Sequence, residues 1–278
     1  MESTFDKTVQ RKIWDVELEI LDVIDKVCKG NGLHYSLAYG SMLGAVRHQG
    51  FIPWDDDMDI WMPRKDYNQF IEIWEQHPQN GYFLLRQETS PKYPQNFMKI
   101  RKNGTAFVSK GEENTEYHHG IFVDIFPMDK VCNNSIGAKT QSISALFYML
   151  YCRGYVSNHD GFLAHLFGNI LLKGIPKIFQ KRIKKFFFNQ TQKYNDEDYQ
   201  ADKIVCFVTA KDAFIYYDNT AFEEWSSIKF ENRTYMCNKN TDDLLKTYYG
   251  DYMQLPPPEE RVWKHHPVLI DFEKEYWP

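Results

Sequence analysis

The segment GSMLGAVRHQGFIPWDDDMDIWM, residues 40–62, places four aspartates in five positions, Asp55, Asp56, Asp57 and Asp59, and runs them straight into the apolar Ile60-Trp61-Met62. A carboxylate carried into a core is costly unless it is paired. The stretch therefore admits two readings: a solvated acidic turn, or acids gathered around something positive. Two features favour the second. Asp57 and Asp59 alternate with Met58 and Ile60, which puts both carboxylates on one side of a half-buried strand. A further acid, Asp124, stands between Val123 and Ile125 in the apolar run GIFVDIFPMD, a strand that belongs in an interior. The partner that suits such acids is a hard divalent cation, magnesium or manganese, which takes oxygen ligands from one or two carboxylates together with substrate phosphates.

Around this cluster the hydrophobic pattern switches between helical and strand periods. Residues 5–29 read as an amphipathic helix, with Ile13, Val16, Ile20 and Val27 at three- and four-residue spacing and Gly30 and Gly32 closing it. Residues 33–39 read as a strand leading into Gly40-Ser41, and DDDMDIWM as the start of a second. Helical spacing returns over 66–74. Residues 81–89 and 96–109 read as adjacent strands, and 120–129 as another. Residues 135–195 are mainly helical by pattern. The final part holds a strand at IVCFVT, a hairpin around KFENRTYMC and a proline-rich turn. Helices interleaved with a mixed sheet predict an α/β (α+β) fold. We divide it into a core over 1–134, a helical basic segment over 135–199 and a C-terminal region over 200–278 that completes the site.

The totals narrow the function. A chain of 278 residues buries a substantial core without staples. Its net charge of −5 argues against a duplex nucleic-acid binder, which needs a broad basic face. The five cysteines are widely spaced and form no CxxC pair, as suits free thiols in a reducing compartment. MESTFDKTVQRK lacks the apolar core of a signal peptide, and no uncharged run reaches the roughly 20 residues that span a bilayer. A cytoplasmic location is expected, at or near the inner face of the cell membrane. His118-His119 have no Cys or His at ligand-like spacing except Cys132, so a plain loop is preferred there to a zinc site.

A Gly-Ser turn before a strand with Asp-x-Asp, followed by a later strand with a lone Asp, resembles the active-site layout of the nucleotidyltransferase fold. The run YGSMLGAVRHQGFIPWDDDMDIWMPRKDY is more specific and resembles the signature of the LicD family. KIRKNGT, GIFVDIFPMD and YYGDYMQLPPPEER are similar to later elements of that family, in the same order. The resemblance implies a nucleotidyltransferase-like core carrying a helical, basic insertion or C-terminal lobe. It also implies transfer of phosphocholine from CDP-choline to a sugar hydroxyl of a cell-surface glycan, such as a capsular, teichoic-type or lipopolysaccharide polymer, or of its lipid-linked precursor. Ribitol phosphate or glycerol phosphate from a CDP-linked donor is the alternative. A non-catalytic glycan-binding or scaffold protein is the alternative of another class, against which the three intact acids weigh.

By position, the resemblance implies that Gly40 and Ser41 contact the donor phosphates and that Asp57, Asp59 and Asp124 hold metal and carry catalysis. Arg47 and His48 stand where positive charge could meet the pyrophosphate. Lys99 and Arg101 share the strand face opposite Met98 and Ile100, and the likeness of FMKIRK to the family element favours phosphate binding there. Asp55 and Asp56, which either ligate metal or shape the turn, join Asp251, Glu260, Arg261 and His265 as pocket candidates. Phosphoryl transfer of this kind needs charge neutralisation and in-line positioning more than a nucleophilic side chain.

From Gly161 to Lys193 the chain has no acidic residue. KGIPKIFQKRIKKFFF reads either as a core-packed helix with a basic outer face or as an interfacial helix over residues 173–188 facing anionic headgroups. Its aromatics cluster at one end instead of interleaving with the lysines, which speaks against a nucleic-acid contact.

Overall fold

The computed structural model describes residues 6–156 and 162–278. In chain order its elements are α1 (Lys7–Asn31), β1 (Ser36–Leu37), α2 (Tyr39–His48), β2 (Asp59–Pro63), α3 (Arg64–Gln76), β3 (Tyr82–Leu85), β4 (Met98–Lys102), β5 (Ala106–Ser109), β6 (Phe122–Lys130), α4 (Ser135–Arg153), α5 (Phe162–Gly174), α6 (Lys177–Thr191), β7 (Lys203–Cys206), β8 (Tyr216–Asp218), β9 (Trp225–Phe230), β10 (Arg233–Asn238), α7 (Thr241–Tyr249) and β11 (Pro267–Asp271). The fold is α/β. It divides into two compact units: the chain up to Leu85 with 98–126 and 221–278, and 86–97 with 127–220. Among the described residues, no helix is long and apolar enough to cross a membrane.

In the first unit the strands lie in the order β1-β2-β6-β4-β3. The β1–β2, β4–β6 and β3–β4 pairs are antiparallel. Ile60, Trp61 and Met62 of β2 are all buried, so the strand after the acids lies in the core. α1 forms because its buried residues, including Ile13, Ile20, Ile24 and Val27, recur on one face. Asp6 caps its start by accepting from the Thr8 and Val9 N–H groups, and Gly32 ends it in the left-handed conformation at φ 66°. Position 5, where the periodicity starts this helix, lies outside the described residues. The β9–β10 hairpin turns through Glu231-Asn232, with Phe230 opposite Arg233. In the second unit the end of β6, Met128–Lys130, pairs with β7, and β7 pairs with β8.

Three elements differ from the sequence expectation. The strand expected over 33–39 has only two residues, because Tyr39 takes φ 40° and already belongs to α2. Gly40-Ser41 consequently occupies the first turn of a helix. The strand after the acids begins only at Asp59, so Asp57 does not share a strand face with it. Asp55–Met58 is irregular, its turn closed by the Asp55 N–H donating to the Ile52 carbonyl at 2.9 Å. The strand expected over 96–109 is two strands, separated by a turn in which Gly104 takes φ 75°.

Candidate active site

The acidic loop is held from below by α1. Gln10 Nε2 donates to the Pro53 and Asp55 carbonyls at 3.1 and 3.2 Å, and Trp14 Nε1 donates to the Asp55 carbonyl at 3.1 Å. The Asp55 carboxyl lies against the start of α2: a Cβ on Gly40 would stand 2.5 Å from Asp55 Oδ2, which is why that position holds glycine. Asp56 is fully buried. It accepts the N–H groups of Lys264 and His265, each at 3.2 Å, and meets His265 Nδ1 at 3.3 Å. Asp56 therefore shapes the turn and pins the C-terminal segment to it. His265 Nε2 stands 3.9 Å from Asp57 Oδ2. One ligand atom each from Asp56, Asp57 and His265 lies within 4.8 Å of the others. The Asp59 N–H donates to Ser41 Oγ at 2.8 Å, which ties the α2 start to the first residue of β2. α2 starts at Tyr39 without a side-chain cap from Ala38, and its N-terminal end carries the positive end of the helix dipole.

Asp124 joins this group from β6. Its N–H donates to the Met58 carbonyl at 2.9 Å. In the β4–β6 register it stands directly opposite Lys99, whose Nζ approaches Asp124 Oδ1 at 2.6 Å and Oδ2 at 2.9 Å. Lys99 Nζ also sits 3.5 Å from the centre of the Phe122 ring. Arg101, equally buried, donates to the Gly120 carbonyl at 2.7 Å and lies over the same ring. The strand face expected to carry these cations is thus interior, and Lys99 is already engaged by an acid of the site.

Negative charge exceeds positive in this buried space. Burial, then the charges of Asp57 and Asp56, pushes the Asp55 pKa well up, and the Asp55 and Asp57 carboxyls come within hydrogen-bonding reach of each other. Two ionised carboxylates tolerate that distance only with a proton or cation between them. Burial raises Asp57 too, against the opposing pull of His265. Asp59 is driven well up by burial and by Asp57, Asp124 and Asp55, with Lys99 acting against them. Burial lowers Lys99 although Asp124 favours its charge. For His265, burial disfavours the imidazolium, but the hydrogen bond to Asp56 and the charge of Asp57 outweigh it and the pKa rises.

Glu17 is the residue that motif reading missed. It is 1% exposed, its Oε2 has no hydrogen-bond partner, and it lies on the same face of α1 as Gln10 and Trp14. Its pKa is pushed well up by burial first and then by Asp57, Asp56, Asp55 and Asp124. The signal was present in the sequence as an acid within the stripe Ile13, Ile20, Ile24.

The remaining candidates sit elsewhere in the first unit. Arg47 and His48 end α2, about 10 Å of helix beyond Gly40. Arg47 donates to the Tyr252 and Gln254 carbonyls at 2.6 and 3.3 Å and to His48 Nε2 at 3.0 Å, so it latches the 252–254 segment. Arg261 donates to the Pro256 carbonyl at 2.9 Å and covers the Trp54 ring. Asp251 and Glu260 are exposed. Burial brings His118 down to about 4, and its Nδ1 accepts the Gly120 N–H at 3.0 Å. Beside the Gly40–Ser41 turn, Tyr39 packs edge-on to Trp61, Phe126 and Tyr248 at 4.9, 5.4 and 5.0 Å, and Tyr248 likewise meets Tyr249.

Residues 32–147 match the family model described as LicD/FKTN/FKRP, nucleotidyltransferase domain. The chain is 28% identical over 269 residues to the lipopolysaccharide cholinephosphotransferase LicD of Haemophilus influenzae, covering 90% of this chain and 92% of that protein. Uncharacterised proteins of Rickettsia typhi and Rickettsia prowazekii are 48% and 46% identical over 52 residues, covering 19% of this chain and 17% and 20% of theirs.

Proposed function

We propose, from the match of residues 32–147 to the LicD/FKTN/FKRP family model and the 28% identity to the Haemophilus protein, that the chain is a LicD-family enzyme and transfers phosphocholine from CDP-choline to a sugar hydroxyl of a cell-surface glycan or of its lipid-linked precursor. The observation that carries this reading is the acid group of half-buried Asp55 and Asp57 with buried Asp59 and Asp124, whose negative charge Lys99 and His265 do not balance. Those carboxylates, with the close Asp55–Asp57 approach, fit a hard divalent cation, magnesium or manganese, held by Asp57, Asp59 and Asp124. Such an ion, when bound, supplies charge neutralisation on the pyrophosphate and lowers the pKa of a nearby hydroxyl.

The chain's own groups do the rest. The N-terminal end of α2, whose dipole favours an anion, and the Ser41 turn receive donor phosphate oxygens. The acceptor hydroxyl attacks the choline-bearing phosphorus, a new P–O bond to the sugar forms, and the bond to the cytidine-bearing phosphate breaks so that CMP leaves. Asp124, oriented by Lys99, takes the proton of the hydroxyl. The aromatic group Tyr39, Tyr248 and Tyr249 beside that turn supports choline over ribitol or glycerol, because ring faces attract a quaternary ammonium. The acid-free helices over 135–191 support work at the inner face of the membrane.

Mass spectrometry of a lipopolysaccharide acceptor incubated with CDP-choline, CDP-ribitol or CDP-glycerol tests the reading. The expected outcome is a phosphocholine adduct and CMP from CDP-choline alone. Asp59→Asn should lower that turnover about 10²- to 10³-fold with an unchanged circular dichroism spectrum. Adducts from another donor would move the assignment to that donor, and full activity in Asp59→Asn would remove the acids from the chemistry.

A further inference from the structure

The second unit contains a cavity of about 560 Å³ with almost no polar lining. Phe147 of α4, Leu171 of α5 and Ile175 beyond it, and Ile183 and Phe187 of α6 form its walls, with Arg182 the one charged residue among its lining. Its shape is fixed locally. Phe147 and Phe187 stack with ring centres 4.8 Å apart, and Gln180 Nε2 donates to the Leu172 and Ile175 carbonyls at 2.6 and 2.7 Å, closing the α5–α6 corner. Around it, large apolar side chains face solvent: Ile178 is 67% exposed and Phe186, at the cavity itself, 57%.

The charge around this cavity is one-sided. None of α4, α5 and α6 contains an Asp or Glu, while α4 carries Lys139 and Arg153, α5 Lys173, and α6 five cations between Lys177 and Lys185. The chain as a whole is at −5, so the imbalance is local and points to an anionic occupant. At 100° per residue, Phe179, Ile183, Phe186 and Phe187 share one side of α6 and Lys177, Lys181 and Lys185 the other. An apolar slot with a single cation in its wall and a cationic surround matches a molecule with a hydrocarbon body and one anionic end. A nucleic acid would leave the slot empty.

We propose that this cavity binds an acyl chain of an anionic phospholipid, with Arg182 on its phosphate and the exposed Ile178 and Phe186 seated at the bilayer surface. This deepens the membrane-side reading above by naming the site, and it uses none of the donor-binding residues.

The test is co-sedimentation of the full chain with vesicles of equimolar phosphatidylglycerol and phosphatidylcholine, against vesicles of phosphatidylcholine alone. Binding is expected only to the first. Arg182→Gln should weaken it about fivefold, the loss of one surface cation. Ile183→Trp, which fills the slot, should abolish binding of monomeric lysophosphatidylglycerol. If that variant does not keep the parent melting curve, Leu171→Phe takes its place. Lysophosphatidylglycerol should compete with the vesicles, while glycerol phosphate should not. Equal binding to both vesicles, competition by glycerol phosphate alone, no effect of either substitution, or a lipid-free dimer that buries the slot would each overturn the proposal. Neither donor nor turnover enters the assay, so its failure leaves the donor chemistry standing.

Discussion

At the residue scale the site is an excess of buried and half-buried acid over the nearby Lys99 and His265, and the closest ion pair there is a buried one. Lys99 and Asp124 form this pair, both under a tenth exposed. Removing one member of a buried pair strands the other, so Lys99→Met should destabilise the fold by about 3–5 kcal/mol, measured by urea unfolding. The Lys99→Met/Asp124→Leu double variant should regain most of that stability while remaining inactive. A double variant as unstable as the single one would show that the pair does more than neutralise itself. Glu17, Asp55, Asp57 and Asp59 titrate above the ordinary carboxylate range in the folded chain. A raised folded pKa contributes stability that is complete below the unfolded value and is lost as pH rises through the folded one. His265, also raised, acts in the same sense. In EDTA the Tm should therefore fall as pH is taken from the ordinary carboxylate range towards neutrality, and the slope should shrink with magnesium and in Asp59→Asn. A profile that rises over that interval would contradict the burial of ionised acid. None of these pairings was legible from residue types alone. Lys99 reads as a phosphate-binding cation on the face opposite Met98 and Ile100 until the β4–β6 register sets it opposite Asp124, and Asp56 meets a histidine 209 residues away.

At the element scale the decisive piece is α2. The sequence shows Gly40-Ser41 followed by a short helical stretch, and the structure puts both residues in the first turn of that helix, with Tyr39 at φ 40° turning the chain out of β1. The expected strand alternation of Asp57 and Asp59 does not occur, because Asp56 is drawn to the N–H groups of Lys264 and His265 and the strand starts after it. The loop that carries Asp55 to Asp57 is instead pinned by Gln10 and Trp14, contacts that no local pattern announces, and the ligand atoms brought within 4.8 Å of one another there are those of Asp56, Asp57 and His265. Helix periods, the β9–β10 hairpin and the apolar β6 were legible because each is written in consecutive residues. Gly40→Ala tests the α2 geometry. Its methyl would displace the Asp55 carboxyl, the far end of a side chain, so the fold should survive while turnover drops about a hundredfold, as for a small misplacement of a reacting group. Unchanged kcat/KM would mean that the Asp55 position is irrelevant to the reaction.

At the scale of the whole molecule, one unit holds the acid cluster of Asp55, Asp56, Asp57, Asp59 and Asp124, and the other the acid-free basic helices α4, α5 and α6. The family model matches residues 32–147, yet Glu17, before that span, feels the charges of Asp55, Asp56 and Asp57, and His265, after it, meets Asp56. The central claim is that the buried acids assemble a cation-dependent site for a CDP-alcohol. Calorimetric titration of the full chain with CDP-choline, in magnesium and again in EDTA, tests it most directly. The account predicts saturable binding in magnesium that disappears in EDTA and in Asp57→Asn. Binding of equal strength in EDTA, or none by a folded chain in magnesium, would contradict it.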